Sequence, residues 1–352
     1  MSKIRVLIVD DSSVVRTFLQ AVLSSDPMIQ VVGWAPDPFI AREKLIELNP
    51  DVMILDVEMP KMDGITFLTK VMAHKPTKTL IFSSLTVERS PLVLRAFEAG
   101  AVDVMAKPEI NVQSGLNMIA ADLVAKVKEI ATANLQAVVT RVKSGSAPAA
   151  SGQATAALKS LAKTTHRLIA IAASTGGTEA LKDLLCKFPA DTPGIVIVQH
   201  MPPVFTKTFA QSLQKICPFE IREAVEGDKV IPGRALLAPG NFHMTVAREG
   251  GYYHIKLNQD PMLHGVRPAA DHLFKSLAVH AGSNVTGVIL TGMGRDGAEG
   301  ILAMKNAGAH TIGQDEATCV VYGMPKAAAE LGALKQILPL NEIPEAVFKS
   351  IN

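Results

Sequence analysis

Along the first third of the chain, short runs of β-branched and aliphatic residues alternate with longer stretches whose apolar positions fall three or four apart. The runs are Ile4–Val9, Val31–Trp34, Val52–Leu55, Thr79–Ser83 and Val102–Met105. Alternation of this kind predicts parallel strands covered by helices on both faces. The five runs make one small domain over residues 1–128. The pattern restarts at Arg167–Ala173 and continues through Gly194–Gln199, Arg234–Leu237, a hairpin over His243–Leu257, Thr286–Leu290 and Ala309–Gly313. The expected class is α/β, with two doubly wound, mostly parallel sheets and an antiparallel hairpin insert in the second.

Residues 129–165 read as a linker. Ser144–Gly152 is small, polar and bears Pro and Gly, as a flexible connection should. Upstream of it, Leu116 to Val142 keeps helical spacing and is read as an extension of the first domain's last helix. Residues 166–352 form the second domain.

Bulk properties narrow the function classes. A chain of 352 residues is too long for one ordinary core. With 48% hydrophobic and 19% charged residues, burial is plentiful. A formal net charge of +2 argues against nucleic-acid binding, which calls for a concentrated basic face. The three cysteines, Cys186, Cys217 and Cys319, show no short paired spacing. They suit neither a disulfide framework nor a zinc site, and a reducing compartment explains them best. No apolar run approaches the ~18 residues needed to span a bilayer, and Asp10 and Asp11 arrive too early for a signal peptide. The expectation is a soluble, cytoplasmic monomer without membrane insertion.

Asp10 and Asp11 follow the first run directly, and Asp56 ends the third. Functional groups in doubly wound sheets collect beyond the carboxyl ends of the strands, so three carboxylates would meet there. Such a cluster needs a divalent cation, and hard oxygen ligands suit Mg²⁺. Ser83 and Lys107, at the ends of the fourth and fifth runs, reach the same rim. A carboxylate acceptor with a metal, a lysine and a hydroxyl around it is a phosphoryl-transfer constellation. A lone strand-end aspartate is more often a helix N-cap, but five suitable groups on successive strand ends are not explained as caps.

In the second half, Ser174-Thr175-Gly176-Gly177 follows a strand and precedes a helical pattern. A serine there sits at a helix's positive end, and the glycines leave room for substrate and free N–H groups for an oxyanion. His200 follows the next strand, and Asp296 lies in Thr291-Gly292-Met293-Gly294-Arg295-Asp296-Gly297 after a later one. Nucleophile, base and carboxylate are the three roles of acyl transfer. The order Ser, His, Asp differs from that of the α/β-hydrolases, and no G-x-S-x-G elbow is present. A second reading stays open at this point. Gly292, Gly294 and Gly297 match the dinucleotide fingerprint, with Asp315 and Glu316 about 20 residues on, as in an oxidoreductase. Against it, a carboxylate at Asp296 would repel a pyrophosphate at the helix N-terminus.

Residues 1–128 resemble the response-regulator receivers through Val9-Asp10-Asp11-Ser12, Leu55-Asp56-Val57-Glu58-Met59-Pro60-Lys61-Met62-Asp63-Gly64 and Lys107-Pro108. The resemblance implies a flavodoxin-like sheet and Asp56 as the phosphorylated residue. It further implies Asp10, Asp11, Asp56 and the Glu58 backbone around Mg²⁺, with Ser83 and Lys107 contacting the phosphoryl group. Val104 stands where many receivers carry Tyr or Phe, so signalling by an aromatic flip is not expected.

Residues 167–352 resemble the chemotaxis protein-glutamate methylesterases (CheB-type) through Ala172–Gly177, Val198–Pro202, Ala238-Pro239-Gly240, Arg267-Pro268 and Thr291–Gly297. That likeness implies a Rossmann-like catalytic domain with Ser174, His200 and Asp296 as its triad and no cofactor of its own. Met293 N–H and the Thr175 hydroxyl become oxyanion candidates. The implied partners are methylated cytoplasmic helices of chemoreceptors as substrate and a chemotaxis histidine kinase as phosphodonor. Some family members also deamidate receptor glutamines. Among other residues, His264 and His272 fit no helical ligand pair. Arg267 is read as a surface contact, and Trp34 as core.

Overall fold

In the computed structural model the apolar runs become buried parallel strands. Residues 3–83, 90–107, 113–144 and 167–351 are described, in two units, Met1–Gly145 and Ser146–Asn352. The sheet of the first unit contains β1 (Ile4–Val9), β2 (Ile29–Ala35), β3 (Val52–Leu55), β4 (Lys78–Ser83) and β5 (Asp103–Ala106). The strand order is β2-β1-β3-β4-β5, all parallel, which is the flavodoxin-like doubly wound arrangement. Its helices are α1 (Ser13–Ser24), α2 (Pro38–Leu48), α3 (Gly64–His74), α4 (Ser90–Glu98), α5 (Gln113–Thr132) and α6 (Leu135–Ser144).

Capping chemistry sorts the aspartates. Asp37 and Asp63 are N-caps, accepting from backbone N–H groups of α2 and α3. At α1 the cap is Ser12, which leaves Asp10 and Asp11 out of that role. Gly64 opens α3 against the end of β3, where a Cβ would lie 2.0 Å from the Asp56 carbonyl oxygen. No side chain fits there.

The stretch from Leu116 to Val142 is two helices rather than one. Asn134 interrupts it, and its Oδ1 accepts the Ala137 N–H at 3.1 Å to start α6. Ile130 and Val138 are fully buried, so the unit extends to Gly145, past residue 128. The Pro/Gly-bearing linker stretch after Ser144, and Pro108, lie outside the described residues. Trp34 is not core. It is 44% exposed, with the Arg16 guanidinium 4.8 Å and the Lys44 ammonium 5.0 Å from its ring. This is a cation–π stack that keeps the charges in water.

The second unit has β6 (Leu168–Ala173), β7 (Gly194–Gln199), β8 (Glu220–Glu223), β9 (Lys229–Val230), β10 (Arg234–Leu237), β11 (His243–Glu249), β12 (Tyr252–Asn258), β13 (Val285–Ile289), β14 (His310–Gln314) and β15 (Gln336–Leu338). Its helices are α7 (Gly177–Leu185), α8 (Phe205–Gln214), α9 (Ala270–His280), α10 (Ala298–Asn306), α11 (Met324–Glu330) and α12 (Ile343–Ile351). The main sheet runs β15-β14-β13-β6-β7-β10-β8 with every pair parallel. From β6 the chain winds to one side through β7, β8 and β10, then returns to β13 on the other. The switch point therefore lies between β6 and β13, where doubly wound folds bind ligands. The hairpin β11–β12 pairs with β9 in a separate antiparallel sheet, and Met244, Val246, Tyr253 and Ile255 pack it into the same core as α9.

Candidate functional site

At the rim of the first sheet, Asp10, Asp11 and Asp56 offer carboxylate oxygens that all lie within 4.8 Å of one another. Asp10 and Asp56 are buried, Asp11 is exposed. Lys107 Nζ stands 2.6 Å from Asp56 Oδ2 and 2.8 Å from Asp10 Oδ2. The Asp10 contact is an ion pair without the direction of a hydrogen bond, so Asp10 Oδ2 is buried with no directed donor. Asp10 Oδ1 accepts the Ser12 N–H, and Asp56 Oδ1 the Glu58 N–H at 3.3 Å. Burial pushes the Asp56 carboxyl up to about 6. Lys107 opposes that rise and the Asp10 charge adds to it. Burial also works against the Lys107 ammonium, yet its two carboxylate partners hold its pKa above the ordinary value. Ser83 ends β4, buried, and its carbonyl accepts the Lys107 N–H at 2.9 Å. One lysine cannot neutralise three carboxylates. These three carboxylates could hold a hard divalent ion through oxygens, and the undirected Asp10 oxygen fits such a ligand set.

In the second unit, β6 and β7 are in register at Ala173 and Gln199, so Ser174 and His200 are the next residues on adjacent strand ends. Two backbone bonds fix them. The His200 N–H donates to the Ala173 carbonyl, and the Ser174 N–H to the Thr291 carbonyl at 3.0 Å. The Gln199 amide donates to the Ser174 carbonyl at 2.9 Å and holds the turn from beneath. Gly292 lies against the serine, where a Cβ would come within 2.7 Å of Ser174 Cβ. The missing side chain is what permits this close approach.

Asp296 is 2% exposed and fully engaged. Its Oδ2 accepts from His200 Nε2 at 2.7 Å and from the Ala270 N–H at 2.6 Å, while Oδ1 accepts the Asp271 N–H at 3.1 Å. Burial alone would raise its pKa, but His200 and the two N–H groups at the start of α9 hold it below the usual carboxylate range. The helix end that favours this carboxylate is α9, not only α10, whose cap Gly297 follows it. Because Asp296 accepts from Nε2, the ring nitrogen left for Ser174 is Nδ1, the reverse of the usual serine-protease arrangement. Among the described residues Ser174 Oγ makes no hydrogen bond to His200. Of the glycine N–H groups, that of Gly177 is used by the Ser174 carbonyl at 2.7 Å and is not free for an oxyanion. Met293 is 40% exposed, and its N–H has no partner among the described residues. Thr175 is buried, its carbonyl accepting from Thr291 Oγ1.

Sequence reasoning did not find Asp271 or its pairing with His264. Asp271 is fully buried, accepting from the Gly300 N–H at 2.6 Å and pairing with His264 Nε2 at 3.1 Å. It ties the first turn of α9 to α10, and Asp296 sits between them. Only the acidic residue in the first turn of α9 signals this in the sequence. His272 instead stacks on His243 with ring centroids 4.0 Å apart. Arg267 is in no ion pair among the described residues. It binds Asn241 Oδ1 and the carbonyls of Gln259 and Asp260.

Comparisons with known proteins agree with this division. The model of the CheB methylesterase family matches residues 169–347, and that of the response regulator receiver domain residues 6–119. A protein-glutamate methylesterase/protein-glutamine glutaminase of Bdellovibrio bacteriovorus is 56% identical over 99% of this chain and 98% of its own. The protein of the same name from Sulfurimonas denitrificans is 51% identical, covering 97% and 96%. The crystal structure of the Thermotoga maritima CheB methylesterase catalytic domain is 37% identical and matches with a TM-score of 0.52, over 53% of this chain and 99% of that one. No helix among the described residues is long and apolar enough to cross a membrane. The chain belongs to the CheB methylesterase family, a response regulator receiver domain preceding the catalytic domain.

Proposed function

We propose that the chain is a phosphorylation-controlled esterase that removes methyl groups from glutamate γ-methyl esters on the cytoplasmic helices of chemoreceptors. The observation that carries the reading is the saturated Asp296 carboxylate, held by His200 Nε2 and two N–H groups of α9, with Ser174 on the neighbouring strand end. With Nε2–H donated to Asp296, the lone pair of His200 Nδ1 is the base for Ser174. That hydrogen bond would form with substrate bound, as catalytic contacts often tighten only then.

Ser174 Oγ attacks the ester carbonyl carbon as Nδ1 takes its proton, and Asp296 stabilises the imidazolium. The developing oxyanion meets the Met293 N–H and the Thr175 hydroxyl. Collapse returns the proton to the leaving methoxide, which departs as methanol. Water then repeats the sequence on the acyl-enzyme and frees the glutamate. A glutamine side chain enters the same cycle with ammonia leaving, which matches the second half of the relatives' name.

Asp56 is the proposed phosphoryl acceptor, with a chemotaxis histidine kinase as donor. Asp10, Asp11, Asp56 and the Glu58 backbone would hold Mg²⁺, which supplies positive charge to the phosphoryl oxygens. Lys107 and the Ser83 hydroxyl take up contacts to the same oxygens. The receiver restrains the esterase, and phosphorylation relieves that restraint. The test is methanol release from receptor-bearing membranes. Ser174→Ala should lose roughly 10⁴- to 10⁶-fold in kcat while still accepting phosphate at Asp56. A variant keeping a tenth of wild-type activity removes Ser174 from the mechanism.

A further inference from the structure

Outside both sites, two thiols that are distant in the chain meet. Cys186 caps the C-terminal end of α7, and Cys217 follows α8 after a separation of 31 residues. Their sulfurs are 3.7 Å apart, close enough for one thiol to donate to the other. Both are free. Cys186 is half-buried and open to reagents, while Cys217 is 8% exposed. The remaining cysteine, Cys319, is 1% exposed and stands apart, its sulfur 4.0 Å from the Gln314 carbonyl.

We infer that Cys186 and Cys217 are a reversible redox-modification site, closed to an intramolecular disulfide by a low-molecular-weight disulfide such as oxidised glutathione. A disulfide needs its sulfurs about 2.05 Å apart, so the pair must approach by roughly 1.7 Å. The roles of the two thiols follow from their surroundings. The hydrogen bond from Cys217 is the main influence that holds the Cys186 thiol below its ordinary pKa. Burial opposes it, and the Lys182 charge one turn earlier helps. The same hydrogen bond and burial push the Cys217 thiol up.

Cys186 is therefore the attacking thiolate and Cys217 the resolving thiol. Cys186 Sγ attacks one sulfur of the small disulfide. Its S–S bond breaks, one small thiolate leaves, and the other half stays on Cys186 as a mixed disulfide. Cys217 then gives up its proton to solvent and attacks Cys186 Sγ, expelling the second small thiolate. Two electrons pass from the cysteine pair to the oxidant, which ends as two thiols.

The bond would join the far ends of the two helices whose near ends follow Ser174 and His200. With nine residues in α7, the cross-link lies about 13 Å of helix away from the Ser174 turn. It closes a long loop in the unfolded chain, which stabilises the catalytic unit. The chemistry of the ester site is left as it was.

The experiment treats the full-length protein with oxidised glutathione, reads intact mass and melting temperature on the folded product, and blocks remaining thiols with an alkylating reagent in an unfolded aliquot for the peptide map. The expected product is lighter than the reduced protein by two hydrogens, carries a Cys186–Cys217 cross-link and one alkylated thiol on Cys319, melts several degrees higher, and reverts with dithiothreitol. Cys217→Ser, close in size to cysteine, should stop at a stable glutathione adduct on Cys186 and show no rise in melting temperature. Methanol release should stay within about twofold of the reduced enzyme, the cross-link being remote from the reacting atoms. Wild-type protein that ends with three free thiols, or with a stable glutathione adduct on Cys186, overturns the proposal.

Discussion

Asp56 and Asp296 occupy the same kind of place, beyond the carboxyl ends of parallel strands in a doubly wound sheet, and both are buried, yet they move in opposite directions. Asp56 is pushed up to about 6, while Asp296 is held below the usual carboxylate range. Burial opposes the charge in each, so the partners decide. Asp56 has a lysine shared with Asp10, one long bond from the Glu58 N–H and a like charge beside it. Asp296 has His200 and two N–H groups at a helix N-terminus. A carboxylate short of donors keeps room for a cation and a phosphoryl group. One saturated with donors stays fixed and can orient a base. Under the proposed function, electrostatic completeness is what separates a phosphoryl site from a catalytic support within one chain.

The comparison breaks most sharply at Asp296. Asp296→Asn replaces an acceptor with a group that can present N–H to His200 and favour the wrong tautomer. A fall in kcat of roughly 10⁴-fold is expected, with binding nearly unchanged. Methanol release at saturating substrate measures it. A loss under tenfold would mean that the carboxylate does not support the histidine.

Asp271→Asn probes the next layer. Its carboxylate touches no reacting group, but it fixes the α9 turn whose N–H groups hold Asp296. A misplaced support should cost about 10- to 100-fold in kcat with KM unchanged. The pH profile of kcat should shift as well, because Asp296 would lose part of its donor set. Equal loss in Asp271→Asn and in a melting-matched control variant elsewhere in α9, with no profile change, would reduce its role to stability.

At Asp56 the same logic gives a pH dependence. Its carboxyl binds a proton below about 6, and that proton competes with a divalent cation. Mg²⁺ affinity should therefore be nearly flat above pH 6 and fall up to about tenfold per unit below it. Calorimetry across pH 4.5 to 7.5 (roughly the span the competition requires) reads the slope. An affinity that stays flat down to pH 4.5 would place the cation away from Asp56.

Much of both sites was legible in the sequence, because strand ends announce themselves by apolar runs that stop at a polar residue. Asp10, Asp56, Ser174 and His200 were all found that way. What escaped depends on contacts between distant segments. β8 has one buried residue in Glu220–Glu223, and β15 has exposed residues along the sheet edge, so neither carries a hydrophobic run. The His264–Asp271 pair and the Cys186–Cys217 pair form only when loops and helix ends are folded together. The break between α5 and α6 was hidden because apolar spacing continues across Asn134, whose cap is a matter of one side chain. Trp34 looked like core by its type alone, although two cations over its ring let it stay at the surface.

Control of the saturated carboxylate by the underfilled one is the regulation proposed above. It is tested most directly by methanol release from receptor-bearing membranes, measured on the full-length protein with Mg²⁺, before and after a small-molecule phosphodonor. The predicted result is a rise of about 5- to 150-fold, corresponding to the usual range of coupling between sites, and no rise in Asp56→Asn. Equal rates with and without phosphodonor, in a protein shown by mass to carry the phosphoryl group on Asp56, would contradict it.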